Sequence, residues 1–126
     1  MKKIKVMVVD DDLTISNILK KNLEKYEDIE IVGMCNSTDD ENSLINNLKP
    51  EIVITDLIRN GKKSGLEVIR KYKKKSSLPK FLVITAGGSE LMDTEIMDGF
   101  ISKPFLNYDE IVRELRLIKK QIEIEN

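Results

Sequence analysis

The stretch "VMVVDDD", Val6 to Asp12, decides how the rest of the chain is read. Four apolar residues without a polar break fit a strand covered on both faces, as in a parallel sheet. Three adjacent carboxylates, Asp10, Asp11 and Asp12, then end the run, and nothing basic sits beside them in sequence. Like charges crowded at a strand end signal a cation site, a nucleophile or both.

Four further apolar runs follow: "IEIVGM" (Ile29 to Met34), "IVIT" (Ile52 to Thr55), "FLVIT" (Phe81 to Thr85) and "FI" (Phe100 and Ile101). The second opens with apolar–polar alternation, which suits an edge strand. Between the runs the period becomes helical. Ile15, Ile18, Leu19, Leu23 and Tyr26 make one stripe. Thr38 with Glu41, Ser64 with Glu67, and Asn107 with Glu110 have capping-box spacing ahead of three further helices. Ser89 to Met97 predicts a short helix, with Gly99 as a left-handed cap. Strand and helix thus alternate through a doubly wound α/β domain with a five-stranded parallel sheet and five helices, the fourth short. The chain is expected to divide into one domain over residues 1–122 and a C-terminal tail at 123–126 that extends the last helix and could lead into a linker to an output domain.

Composition narrows the chemistry. The 126 residues are 40% apolar and 34% charged, with a formal net charge of −1. That balance fits a globular domain and gives no general attraction to nucleic acid or to anionic membranes. Cys35 is the only cysteine and histidine is absent. An internal disulfide and any His-based triad are therefore excluded. No run is long enough to span a bilayer, and a cytoplasmic setting is expected.

In an open parallel sheet, ligands bind beyond the carboxyl ends of the strands. The strand ends here are Asp10 and Asp11, Asp56, Thr85 and Lys103. A lone Asp after a strand is usually a turn residue or helix N-cap, and Asp12 reads that way. Three acids, a hydroxyl and an ammonium on one edge are harder to dismiss. Clustered carboxylates suit Mg²⁺, a carboxylate can accept a phosphoryl group, and a point-charge lysine can neutralise its oxygens.

With these residues in place, the chain resembles a response-regulator receiver domain, from about Lys3 to Lys120. The resemblance is carried by "VVDDD", by "IVITD", by "FLVITA" with Thr85 and Ala86, and by "KPF" (Lys103, Pro104, Phe105). It implies a flavodoxin-like sheet of strand order 2-1-3-4-5 and a phosphoacceptor at Asp56. It further implies Mg²⁺, or Mn²⁺ in its place, ligated by Asp11, Asp56 and the Ile58 backbone carbonyl, with Asp10 acting through water. Thr85 and Lys103 would contact the phosphoryl oxygens, Ala86 would leave room for the donor, and Phe100 would be the aromatic switch. A cis Lys103–Pro104 bond is implied as well. The expected partner is a sensor histidine kinase or phosphotransfer protein, with a homodimer compatible and no membrane or direct nucleic-acid contact. Chemistry would be confined to self-phosphorylation and slow loss of the group, not turnover of a substrate.

Departures from the family pattern are visible. The loop "DLIRNGKKSG" after Asp56 lacks the usual proline and is basic, and "TAGGSELMDTEIMDGFISK" is short for the fourth helix. Ile58 and Gly87 occupy positions that tune dephosphorylation in the family, and the apolar Ile58 points to a long-lived phosphoryl group. "VMVVDDDLT" also fits the first motif of haloacid-dehalogenase-type phosphatases, with Asp10 as nucleophile, but that family needs a further acidic strand end after the lysine. The basic run "RKYKKK" (Arg70 to Lys75) reads as the solvated face of a helix.

Overall fold

A computed structural model describes residues 3–36, 38–56, 64–85, 97–103 and 107–125; the side chains of Thr38, Asp39, Ser64 and Thr85 fall outside that description. The elements run β1 (Ile4–Val9), α1 (Leu13–Leu23), β2 (Ile29–Cys35), α2 (Thr38–Leu48), β3 (Ile52–Thr55), α3 (Ser64–Lys75), β4 (Lys80–Thr85), β5 (Gly99–Ser102) and α4 (Tyr108–Glu125). The strands form one parallel sheet in the order β2-β1-β3-β4-β5. The short helix expected between Ser89 and Met97 lies outside the described residues, apart from Met97, which is buried.

The unbroken apolar runs have a direct cause. Each central strand sends alternate side chains into two separate cores, so neither parity can be polar. Val6, Val8, Ile52, Ile54, Leu82 and Ile84 meet Leu19 and Leu23 of α1 and Ile111, Leu115, Ile118 and Ile122 of α4. Met7, Val9, Val53, Phe81 and Val83 meet Ile45 of α2 and Ile69 and Tyr72 of α3. Strand β2 changes parity part-way: Val6 faces Ile31 but Met7 faces Gly33, leaving Val32 as an extra residue in a bulge. Ile29 and Ile31 enter the first core, whereas Cys35 enters the second.

Three expectations are corrected. Ile18 is 45% exposed, and Ser16 takes the buried place instead, its Oγ without a hydrogen-bond partner. The helix ends at Leu23, so Tyr26 reaches the first core from the turn that follows. Gly99 is no left-handed cap: it opens β5, and a Cβ there would stand 2.8 Å from Leu82 Cδ1 and 3.2 Å from Ile118 Cδ1. Close approach, not handedness, is its reason.

Other local expectations hold. Asp12 is the N-cap of α1, its carboxylate accepting from Thr14 N at 2.9 Å. Asn107 does the same for Glu110 N at 3.2 Å ahead of α4. Residues 123–125 continue that helix, and Glu125 pairs with Lys80 at 2.9 Å. On α3, Arg70, Lys71, Lys74 and Lys75 are exposed, as a solvated face requires. Among the described residues no helix is long and apolar enough to cross a membrane.

Candidate functional site

The register levels Val9, Thr55, Val83 and Phe100 across the sheet. Asp10 and Asp56 therefore stand one residue beyond that line, Thr85 two and Lys103 three. Backbone bonds fix the two acids there. Asp10 N donates to Cys35 O at 3.1 Å and Asp56 N to Val9 O at 3.4 Å, while Thr55 Oγ1 donates to the Asp56 carbonyl at 3.1 Å. Lys103 then reaches back. Its Nζ lies 2.9 Å from Asp56 Oδ2 and 3.6 Å from Asp10 Oδ2. Ile15, Leu19, Ile54 and Ile84 form the apolar floor of this recess.

Its electrostatics follow from burial and crowding. Asp10 is only 5% exposed, and burial pushes its carboxyl above the ordinary range; the Asp56 charge and the side-chain hydrogen bond with Asp11 push the same way. The Asp12 amide, donating to Asp10 Oδ1 at 2.9 Å, and the Lys103 charge oppose that rise without cancelling it. Burial alone would lower the Lys103 ammonium, but its bond to Asp56 and the charges of Asp56 and Asp10 outweigh it and leave it raised. Lysine thus stays cationic between two acids.

A family model for the response regulator receiver domain matches residues 6–116. The chain belongs to this family.

Relatives agree. The receiver domain is 35% identical over 114 residues to a protein-glutamate methylesterase/protein-glutamine glutaminase of Syntrophus aciditrophicus, covering 86% of this chain and 33% of that protein. It is 32% identical over 120 residues to the sensory transduction protein LytT of Bacillus anthracis, covering 94% of this chain and 48% of that one. The chain therefore spans a third to a half of the length of these curated relatives. In fold it is similar to the Salmonella typhimurium response regulator RcsB, with a TM-score of 0.81 at 24% identity over 95% of this chain and 62% of that one. The response regulator domain of Thermotoga maritima CheB gives 0.77 at 20% identity over 93% and 96%. Nothing in these comparisons supports the phosphatase reading with Asp10 as nucleophile.

Of the residues singled out by sequence, the receiver domain brings Asp10 and Asp56 each within reach of Lys103, with Asp11 exposed but bonded to Asp10. Phe100 sits in β5, half-buried against the second core. Thr85 ends β4 opposite Ser102, one residue before Lys103, and its side chain is outside the described residues. Ile58, Ala86, Gly87, Pro104 and Phe105 are outside them too, and with Pro104 the implied cis bond. The donor set suits a hard divalent ion in kind: among the described residues, three carboxylates gather beside a single ammonium. Among the described residues no three acidic or cysteine side chains are already arranged as a metal shell; Asp10 and Asp56 close on Lys103 instead.

Sequence reasoning missed Asp98. Its Oδ2 accepts from Lys73 Nζ at 2.6 Å and from Phe81 N at 2.8 Å, immediately before β5. In sequence Asp98 falls between the expected short helix and its Gly99 cap with nothing local to mark it, because the partners lie 25 and 17 residues away.

Proposed function

We propose that this receiver domain accepts a phosphoryl group on Asp56 from the phosphohistidine of a sensor histidine kinase or phosphotransfer protein. The observation that carries the reading is the Lys103 ammonium held 2.9 Å from Asp56 and 3.6 Å from Asp10 at the carboxyl edge of the sheet. A carboxylate oxygen of Asp56 attacks phosphorus as the P–N bond breaks, and the imidazole leaves with a proton. Lys103 exchanges a carboxylate contact for a phosphoryl oxygen, and Thr85 supplies a hydroxyl to another. Asp10, Asp11, Asp56 and the Ile58 carbonyl would hold Mg²⁺ or Mn²⁺, which supplies charge neutralisation of the transferring group.

The domain is a switch, not a turnover enzyme. New contacts of Thr85 and Lys103 with the phosphoryl group differ between the two states, and that difference shifts the equilibrium, with Phe100 following Thr85. Incubation with acetyl phosphate and Mg²⁺ should add the mass of one phosphoryl group to the intact protein. Asp56→Asn should abolish the gain. An unchanged wild-type mass, or equal gain in the variant, would overturn the reading.

A further inference from the structure

We infer that Asp98 is a positioning residue for Lys103: by clipping the start of β5 to β4 and α3, it fixes the register that delivers the ammonium to Asp56. This rests on the phosphoacceptor reading for its consequence, though not for its geometry.

Phe81 directs both its backbone groups toward β5. Asp98 meets both, donating its N–H to Phe81 O at 3.0 Å and accepting Phe81 N–H on Oδ2 at 2.8 Å. One residue does the work of two strand positions. The carboxylate is 11% exposed and is neutralised by Lys73 at 2.6 Å. Gly99, next in line, packs so closely that a Cβ would stand 2.8 Å from the Leu82 tip and force it to shift. The paired part of β5 is only four residues long, so few ladder bonds resist sliding. A slip of one residue moves the strand by about 3.3 Å and exchanges its two faces. Phe100 would leave the second core, Ile101 the first, and Lys103 would lose its 2.9 Å contact with Asp56. The pin acts five residues from the group it places.

The test uses the whole chain with Asp98→Ala, Asp98→Asn, Lys73→Met, and Ile122→Val as a control that loosens the core elsewhere. Two readouts are taken: the backbone amide spectrum of Gly99 to Lys103, and the limiting rate of phosphorylation at saturating acetyl phosphate. In Asp98→Ala the Gly99–Lys103 signals should shift or double while those of β1 and β3 stay in place, and the limiting rate should fall at least tenfold. Asp98→Asn, which still accepts from Phe81 N, should recover to within about threefold, and Ile122→Val should keep the wild-type rate. A folded Asp98→Ala with wild-type signals and a rate within twofold would overturn the inference. If that variant does not fold, Lys73→Met decides by the same two readouts. If the wild type takes no phosphoryl group, the phosphoacceptor reading fails, and the amide signals alone decide the register claim.

Discussion

At the edge where the strands begin, Asp28, Glu51 and Glu125 each have a base of their own. Arg116 forks onto Asp28 at 2.9 and 3.1 Å and lies over the Tyr26 ring at 5.7 Å; Lys119 holds Glu51, and Lys80 holds Glu125 at 2.9 Å. The bond to Arg116 lowers the Asp28 carboxyl, and the bond to Lys80 lowers that of Glu125. Among the described residues at the edge where the strands end, Asp10 and Asp56 both lean on the Lys103 ammonium, and Asp10 is raised, by burial above all. The same kinds of side chain give a fastening at one edge and unfinished electrostatics at the other. The difference lies in stoichiometry and burial. Stability is served where charges are matched; readiness to bind is kept where they are not.

Three substitutions can break or sharpen this contrast. The largest effect is expected from Lys103→Met, which leaves two acids facing each other in the recess. A loss of about 2 kcal/mol in denaturant unfolding is expected, below the full cost for a buried pair because the ammonium is 24% exposed. The raised lysine contributes stability that is complete below its ordinary range and is lost only as pH rises through the raised value. The deficit should therefore be constant from pH 6 to 8. A variant as stable as wild type would mean the acids need no cation.

Asp10→Asn should act in the opposite direction. Because the folded carboxyl is raised, its favourable share is complete below the unfolded range and is lost as pH rises through the raised value. Above that value the buried charge is a burden, so the substitution should raise the melting temperature there by roughly 3 °C. The gap to wild type should close on acidification. A destabilised Asp10→Asn would place this edge in the same class as the other.

The smallest change belongs to Arg116→Met. Its guanidinium is 53% exposed, so about 0.5 kcal/mol is expected, shrinking with added salt. Asp28 is lowered, so its contribution is present above the ordinary carboxylate range and fades as pH falls through the depressed value. A salt-insensitive loss would point to packing against Tyr26 rather than charge.

How much of this was legible in the sequence depends on distance along the chain. The strands from Val6, Ile52 and Phe81 were plain because two-faced burial forbids polar residues over a whole run. Asp10, Asp56 and Lys103 were legible because a parallel sheet gathers its strand ends. The place of Ser16 was not, because a polar residue on the buried face does not register in an apolar period. The parity change at Val32 was hidden because bulges leave little composition signal. Asp98, and the clasps of Glu51 and Arg116, depend on pairings across tens of residues that no local pattern announces.

The bulge at Val32 has a consequence for company. Both flanks of the sheet are poor templates for another chain: β2 is kinked along its ladder, and β5 offers four residues. Growth by strand addition is discouraged on either side, which guards against fibrous aggregation and leaves association to helices and loops.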